Sequence, residues 1–365
     1  MLSALRVLDL SRVLAGPLCT MILGDMGADV MKVERASTGD ETRGWGPPFD
    51  ERGESAYFLS VNRNKLSVTA DLDDPADLAL IRSLAGEADV VVENFLPGVL
   101  ERRGWGAELA RAEHPALVWC TITGFGAGST RPGYDFVIQA ESGWMSITGE
   151  PEGDPMKHGI ALADVLAGKD ASIALLAALV ARARSGMGRH IHISLAASAE
   201  AALVNVAQNT LVSGQPPVRW GNAHANLVPY QLFRALDRPM IIAVGNDGQW
   251  RACCAALDLG ALAEDARFST NAGRLEHRRE IVAVMQTRLA SRPAAHWLGM
   301  LQQNGVPCGV LKGVREALDE VECSPLTGVA PATGGSVRLP PPTLGAHSAL
   351  VREAGWGAFA RARAD

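Results

Sequence analysis

The sequence predicts an α/β fold, with a parallel sheet in a large first domain and a smaller α+β domain after it. Three observations support this prediction: a strand–helix–strand pattern at the start, valine-rich strand patterns through the first third, and the chain length. At 365 residues, of which 47% are hydrophobic, the chain is too long for one compact core and has enough apolar residues for two.

The first strand–helix–strand pattern lies between residues 5 and 34. Leu5–Leu10 ("LRVLDL") and Asp29–Glu34 ("DVMKVE") are short apolar runs typical of strands. Gly16–Ala28 between them has a helical pattern, in which Pro17 is tolerated because it falls in the first turn. Two strands joined through a helix predict parallel pairing.

The alternation continues through the first third of the chain. Lys65–Leu72, Ala88–Asn94 and Leu117–Thr123 are predicted as strands, and a helix is predicted after Pro75. Valine-rich runs bounded by turn residues are typical of strands that are buried on both faces. The sequence therefore predicts a parallel sheet covered by helices on both sides.

A stretch containing Pro and Gly, Ser213–Tyr230, interrupts this pattern and predicts a domain boundary. A second such stretch, Ser324–Ser348, predicts a linker that returns to the first domain. The small domain is predicted to contain strands at Gln231–Leu236 and Pro239–Gly245 and helices around Gln249–Leu257, Gly273–Ala290 and Ala294–Asn304. The predicted division is a large domain at 1–212 plus about 325–365, a small domain at about 225–320, and linkers at 213–224 and 321–345.

Composition narrows the class of protein. A formal net charge of -6 argues against nucleic-acid binding, which normally needs a basic surface. The six cysteines lie scattered without metal-type spacing, which favours a reducing cytoplasmic location over a disulfide framework. Charged residues interrupt the apolar N-terminus, so no signal peptide is predicted. The longest apolar run, Ala171–Ala181, is well short of the roughly 20 residues of a membrane span.

Common catalytic and cofactor motifs are absent from the sequence. The glycines after the first strand do not form G-x-G-x-x-G, so a nicotinamide oxidoreductase fits poorly. No nucleophile elbow, Walker motif or H-E-x-x-H is present. His190 and His192 are predicted to share one face of an exposed strand. A metal site there is disfavoured because no acidic or Cys partner is nearby in sequence, and no metal is predicted.

Asp164 lies between small apolar residues, just before a long apolar run. A structural interpretation makes it a helix N-cap, worth about 1 kcal/mol. A catalytic interpretation makes it a nucleophile, since an oriented carboxylate in a partly apolar pocket can attack an activated acyl group. The residues alone favour the cap. Arg35, Arg102 and Arg103 follow predicted strands, where they could bind phosphates or simply be surface residues.

Long stretches of the chain resemble the class III CoA-transferases, the family that includes formyl-CoA and carnitine CoA-transferases. The likeness extends from about Leu5 to Gly309, and the end of the chain diverges. The segments that carry it are "VLDLSRVLAGPLCTMILGDMGADVMKVERASTGDETRGWGPPF", "NRNKLSVTADLDDP", "ADVVVENFLPGVLERRGWG", "TITGFG", "GYDFVIQAESGWMSITG" and "SGMGRHIHISL".

This resemblance implies a function and a site. It implies that Asp164 is the nucleophile, that it forms an aspartyl-CoA thioester, and that acyl-CoA and a carboxylic acid are the substrates. It also implies a Rossmann-like large domain and an interlocked homodimer. The residues implied to hold coenzyme A are Leu14, Ala15, Arg35, Ala70, Asp71, Leu72, Asn94, Phe95, Leu96, Arg102, Tyr134 and Asp135.

The tetrahedral oxyanions of such a reaction need N–H donors. The helix start after Asp164 and the loop Trp220–Asn226 are the candidates, and the loop is also a candidate lid. A plain interdomain linker is the alternative for that loop.

Substrate choice is suggested by a closer likeness to succinyl-CoA:glutarate CoA-transferases, which serve dicarboxylic acids. The expected donor is succinyl-CoA, and itaconate, mesaconate, malate and hydroxymethylglutarate stay open as acceptors beside glutarate. A second carboxylate needs a partner, for which Arg43, Arg219 and His224 are candidates. Arg43 and Arg219 fit a structural ion-pair role equally well.

Two other functions are compatible with the same fold. α-Methylacyl-CoA racemases carry a Gly-His-Asp motif, but this chain has Gly133–Tyr134–Asp135 and so lacks the histidine that moves a proton. The departure favours CoA transfer over racemisation. The third possibility is a CoA-binding protein without catalytic activity.

Overall fold

The computed structural model describes residues 1–363, which form two compact units. The first unit contains Met1–Met145, Lys157–Gln215 and the chain from Val321 onward. The second contains Ser146–Met156 and Pro216–Glu320. The short piece Ser146–Met156 thus belongs to the second unit, although the sequence-based division assigned it to the first.

Six parallel strands form the central sheet of the first unit, which confirms the predicted parallel sheet. Their spatial order is β3-β2-β1-β4-β5-β6, the order of doubly wound nucleotide-binding folds. The strands are β1 (Arg6–Asp9), β2 (Asp29–Glu34), β3 (Lys65–Thr69), β4 (Val90–Glu93), β5 (Val118–Thr123) and β6 (His190–Ser194).

Helices cover both faces of this sheet. The first unit contains the helices α1 (Ala15–Asp25), α2 (Ala56–Leu59), α3 (Pro75–Gly86), α4 (Ala107–Glu113), α5 (Asp135–Glu141), α6 (Trp144–Ile147, which runs into the second unit), α7 (Leu162–Ser185), α8 (Leu195–Ala201) and α9 (Val204–Ser213). Helices α1 and α3 each have a proline in the first turn. This was predicted for Pro17, whereas the second helix was expected after Pro75 and begins at it.

The sheet separates two hydrophobic cores. Val7, Val30, Val90 and Val118 point to the face covered by α1 and α7, while Leu8, Met31, Val91 and Trp119 point to the face covered by α3 and α4. All eight side chains are fully buried, because successive strand residues alternate between faces and both faces are covered.

Helix α7 approaches α1 unusually closely at Gly168. A Cβ atom at Gly168 would lie 2.7 Å from the carbonyl oxygen of Ala15, at the first residue of α1. Only glycine lets the two helices meet at this separation. Gly168 lies one helical turn after Asp164, so this contact sets the position of Asp164 relative to α1.

The second unit has its own sheet and core. Three antiparallel strands, β7 (Tyr230–Arg234), β8 (Pro239–Ala243) and β9 (Cys308–Val310), pair in the order β7-β8-β9. Its remaining helices are α10 (Asp247–Ala256), α11 (Gly260–Glu264), α12 (Asn271–Glu276), α13 (Arg278–Leu289), α14 (Ala294–Gln303) and α15 (Val314–Leu318). Trp250, Phe268 and Trp297 lie in its buried core.

The C-terminal stretch lies against the first unit instead of running free as a linker. Arg63 donates to the carbonyl oxygens of Thr327 and Val329, next to the short strands β10 (Cys323–Ser324) and β11 (Gly328–Val329). Arg338 donates to the carbonyl oxygens of Gly24 and Ala28. Helices α16 (Ser348–Ala354) and α17 (Ala358–Ala362) end the described chain. Among residues 1–363 there is no helix with the length and apolar character needed to span a bilayer.

Candidate active site

Asp164 lies in the first turn of α7 and is 9% exposed. Its side chain lines a cavity of about 210 Å³, together with Leu14, Ala15, Asn94 and Tyr134. Its carboxylate forms no hydrogen bond or ion pair with any other residue in 1–363. A nearly buried carboxylate without a partner is costly to ionise. Such a group in a cavity is a candidate functional residue.

The predicted cap role of Asp164 is wrong. Helix α7 begins two residues earlier, at Leu162, and Asp135 from α5 accepts the N–H groups of Ala163 at 2.8 Å and Asp164 at 3.4 Å. Gln139 donates to the other oxygen of Asp135 at 2.6 Å. Asp135 therefore performs the cap from a different helix, and the carboxylate of Asp164 takes no part in it.

The start of α7 also fails as a source of oxyanion donors. The N–H groups of Ala163 and Asp164 are held by Asp135, and the N–H of Val165 donates to the carbonyl of Ala161. That expectation from the sequence is therefore wrong for these three groups.

Burial and, after it, repulsion from the Asp135 carboxylate raise the pKa of Asp164 from its ordinary 3.8 to about 7. A carboxylate with a raised pKa is more basic and, once ionised, a stronger nucleophile than an ordinary one. Asp164 is thus an acid group whose charged form is destabilised and which lines a cavity of the first unit.

The N-terminus of α1 faces the same cavity. Leu14 and Ala15 line it, and their N–H groups have no acceptor among residues 1–363. Val13, just before them, has φ of 70°, a left-handed conformation that is strained for a β-branched residue. Asp40 accepts the Val13 N–H at 3.2 Å and forms an ion pair with fully buried Lys32 at 3.0 Å. This buried pair holds the strained turn in place.

A larger cavity of about 480 Å³ adjoins the first along the carboxyl ends of β1, β2 and β3. The two cavities share Arg12, Phe95 and Leu96 in their walls. Of the residues predicted to hold coenzyme A, the smaller cavity is lined by Leu14, Ala15, Asn94, Phe95, Leu96 and Tyr134, and the larger by Arg35, Ala70, Asp71, Leu72, Phe95 and Leu96.

Two residues of the predicted coenzyme set lie elsewhere. Asp135 caps α7, as described above. Arg102 is exposed and lines neither cavity, while the adjacent Arg103 lines the larger one and pairs with Asp73 at 2.8 Å.

The predicted substrate residue Arg43 has its donors occupied. It pairs with Glu34 at 2.7 Å and Glu54 at 2.6 Å, and it also donates to the carbonyl of Pro342. Because the guanidinium is buried and fully engaged, the geometry favours the structural ion-pair alternative.

Arg219 and His224 both belong to the second unit. Arg219 donates to the carbonyls of Glu150 at 3.1 Å and Gly153 at 2.7 Å. His224 Nδ1 accepts the N–H of Asn226 at 3.0 Å. Arg278 donates to the carbonyls of His224 and Ala225 and lies over the Trp220 ring, so the 220–226 loop is anchored within its own unit.

The rings of His190 and His192 are in contact, with centroids 3.9 Å apart and planes tilted by 39°. Burial, followed by His192 and Arg111, lowers the pKa of His190 to about 4. His190 contacts Thr121 at 2.9 Å, and Thr121 donates to Glu93, so an acidic group that is distant in sequence lies near the pair. No group of three potential metal-ligating side chains occurs within the part of the chain that is described.

Sequence reasoning missed Tyr57 and Arg12. Burial, followed by the negative charges of Asp164, Asp135 and Asp40, raises the pKa of Tyr57 to about 12, which places its phenol in the electrostatic neighbourhood of the site. The ring of Tyr57 packs edge-on against Trp45 at 5.1 Å. Neither Tyr57 nor Arg12 belongs to a recognisable chemical motif, so no local signal in the sequence could have identified them.

Comparisons with known proteins agree with this architecture. The family model described as "CoA-transferase family III" matches residues 2–348 of this chain. A protein named succinate–glutarate CoA-transferase from Agrobacterium fabrum is 45% identical, with 86% of this chain and 81% of the relative covered. Succinyl-CoA:glutarate CoA-transferase from Mus musculus is 40% identical, with 95% and 84% covered.

Solved structures show the same likeness. A CAIB/BAIF family protein from Brucella suis matches with a TM-score of 0.85 and 40% identity, covering 96% of this chain and 98% of the other. A Mycobacterium tuberculosis protein matches with a TM-score of 0.83 and 30% identity, covering 95% and 98%. The chain therefore belongs to family III of the CoA-transferases.

Proposed function

We propose that this enzyme moves coenzyme A from succinyl-CoA to a short dicarboxylic acid such as glutarate, through a thioester on Asp164. The names of the relatives support the substrates. The observation that carries the chemistry is the partnerless, nearly buried carboxylate of Asp164 at the wall of a cavity that adjoins a larger one. Without a covalent role, such a carboxylate would only cost stability.

The proposed reaction exchanges acyl bonds in balanced steps. An oxygen of ionised Asp164 attacks the donor thioester carbonyl and expels CoA thiolate, leaving a mixed anhydride. The thiolate attacks the Asp164 acyl carbon, which forms the aspartyl-CoA thioester and releases the donor acid as its carboxylate. The acceptor carboxylate repeats these steps in reverse order, so Asp164 is regenerated and no net proton is consumed. Each activated bond replaces another, so transfer needs no external energy source.

Two features of the first unit support these steps. The raised pKa of Asp164 makes its ionised form a stronger nucleophile. The N–H groups of Leu14 and Ala15, at the positive end of α1, are our candidates for donors to the oxyanions that form at the acyl carbons. This assignment replaces the start of α7, whose N–H groups are occupied.

The larger cavity is the proposed site for the nucleotide end of coenzyme A. Arg35 lines this cavity and offers a cation to a phosphate, at the carboxyl edge of a parallel sheet where nucleotides bind. The pantetheine arm would then cross the wall made by Arg12, Phe95 and Leu96 to bring its sulfur into the smaller cavity. Arg102 could join the phosphates only by moving, since it lines neither cavity.

Racemisation and non-catalytic CoA binding gain no support from the geometry. Tyr134 lines the smaller cavity where racemases have a histidine, and it offers a phenol in place of an imidazole. A protein that only binds CoA has no use for a destabilised carboxylate.

We also propose that the enzyme is a homodimer, interlocked as the resemblance implies. Large apolar side chains on α7 and α9 are unusually exposed, including Ile173 at 66%, Leu211 at 77% and Val212 at 79%. Leu211 and Val212 are neighbours in α9, and adjacent exposed apolar side chains are typical of interaction surfaces. Sedimentation equilibrium is expected to give twice the mass of one chain, and L211D/V212D is expected to weaken the dimer. A monomer at micromolar concentration would contradict the proposal.

A cytoplasmic location stays a prediction.

A panel of acyl-CoA donors and carboxylic acids tests the proposed function. Succinyl-CoA with glutarate is expected to yield glutaryl-CoA and free succinate in equal amounts, measured by mass spectrometry of the CoA esters. Incubation of an α-methylacyl-CoA in deuterium oxide is the counter-test. Deuterium uptake at the α-carbon without any acceptor acid, combined with no transfer in the panel, would contradict the proposal and favour racemisation.

A further inference from the structure

A dicarboxylate substrate brings two charges into the reaction cavity. One carboxylate must meet Asp164, and the other needs a cation or a set of donors near it. The predicted partners Arg43 and Arg219 are engaged in other contacts. Among the described residues that line the smaller cavity, the cations are Arg12 and Arg131.

Arg12 lines both cavities and is restrained there by several contacts. Its N–H donates to Asn94 Oδ1 at 2.9 Å, and Asn94 Nδ2 donates back to the Arg12 carbonyl at 2.8 Å. Its guanidinium lies 5.8 Å from the centre of the Phe95 ring. These contacts restrain both the backbone and the side chain, which reduces the entropy lost when an anion binds.

The guanidinium of Arg12 is only partly satisfied. Nη1 pairs with Glu41, whereas Nε is buried and has no hydrogen-bond partner among residues 1–363. The second carboxylate oxygen of Glu41 is likewise buried without a partner. Nη2 has no partner among the described residues and is the donor that Arg12 can offer to a substrate carboxylate, as a charge-assisted hydrogen bond.

Arg131 differs from Arg12 in each of these respects. Its side chain is 59% exposed, it pairs with Glu141 at 2.6 Å, and it lies 4.1 Å over the Phe125 ring. An exposed cation that already has a carboxylate partner contributes little to recognition, because water screens it. It is therefore a matched control in the same cavity.

We propose that Arg12 determines specificity for dicarboxylic acids by binding the carboxylate of the substrate that does not react. This inference rests on the proposed function, because it assumes that the acyl group is transferred at Asp164. The same arginine would serve donor and acceptor in turn, since both occupy the one cavity. Glu41 balances its charge when no acid is bound.

The test compares R12Q, R12K and R131Q on two matched reactions. The first is succinyl-CoA with glutarate, and the second is butyryl-CoA with pentanoate, which have the same carbon numbers but lack the second carboxylate. R12Q is expected to lower kcat/KM on the order of 100-fold for the dicarboxylate pair, the loss of a charged hydrogen bond. The monocarboxylate pair is expected to change less than about threefold. R12K should recover part of the loss, and R131Q should lower kcat/KM for the dicarboxylate pair far less than R12Q does, because Arg131 is exposed and already paired with Glu141.

The inference has distinct failure outcomes. If R12Q lowers kcat/KM equally for both substrate pairs, Arg12 acts in coenzyme A binding or in folding and not in recognition of the second carboxylate. If R12Q leaves kcat/KM for the dicarboxylate pair unchanged, Arg12 does not bind the second carboxylate at all. If the monocarboxylate pair turns over too slowly, calorimetric binding of glutarate and pentanoate to the free enzyme gives the same comparison. Thermal melts establish that each variant is folded. Failure of the proposed function itself would give a different result: the wild-type enzyme would show no CoA transfer with either substrate pair.

Discussion

Replacing Asp164 by Asn is expected to lower kcat for CoA transfer by at least about 10⁴-fold, the scale of loss when a catalytic side chain is disabled in other enzymes. The amide that replaces the carboxylate cannot form the anhydride or the thioester, although it has nearly the same shape. Binding of acyl-CoA should persist, because the proposed coenzyme cavities stay intact. Initial rates of glutaryl-CoA formation measure the first effect, and calorimetry with CoA measures the second.

The free energy of unfolding of D164N, measured against pH, is the control for its loss of activity. The pKa of Asp164 is about 7 in the folded protein and 3.8 in the unfolded chain, so the folded state binds more protons between these values. Wild-type stability therefore falls as pH rises through that window, whereas D164N escapes the penalty. D164N is expected to be more stable than wild type at pH 8, by a few kcal/mol, and equally stable below pH 4. A variant less stable at pH 8, or one with normal transfer rates, would contradict the assignment.

Replacing Gly168 by Ala is expected to lower kcat about 100-fold with little change in the KM for succinyl-CoA. The added Cβ would lie 2.7 Å from the Ala15 carbonyl oxygen, so α7 and α1 must move apart. This separates Asp164 from the N–H groups at the start of α1 that are proposed to stabilise the oxyanions. Steady-state kinetics with varied succinyl-CoA distinguishes the two parameters.

Gly299 is the matched control for that substitution. It lies inside α14, and a Cβ there would meet no atom within 4 Å. G299A is expected to keep full activity and to gain up to about 1 kcal/mol of stability from better helix propensity. If G168A behaved like G299A, the close contact between α7 and α1 would have no part in catalysis.

The sheet was predictable because its signals are local. The valine-rich runs, the helical pattern at Gly16–Ala28 and the prolines in first turns each depend on neighbouring residues. The observed strand order extends this pattern and agrees with the expected class. The three-residue strand Cys308–Val310 was missed, because so short a run has no periodicity to detect.

Site residues were predictable from sequence only where a residue stands out from its immediate neighbours, as Asp164 does. Asp164 stood out as a lone carboxylate before an apolar helix, but its cap partner Asp135 is 29 residues away, so the start of α7 was misplaced. Arg43 could not be assigned from sequence because its partners Glu34 and Glu54 meet it only in the fold. Arg12 was missed for the same reason, since its cavity and its reciprocal contact with Asn94 are tertiary features.

Mass spectrometry of the enzyme after incubation with succinyl-CoA, without any acceptor acid, tests the central claim most directly. The account predicts a covalent CoA adduct on the peptide that contains Asp164, present only when acyl-CoA is supplied. Hydroxylamine should release the CoA and leave a hydroxamate on that same side chain. Steady transfer by an enzyme that never carries CoA at Asp164, or that carries it on a different residue, would contradict the account.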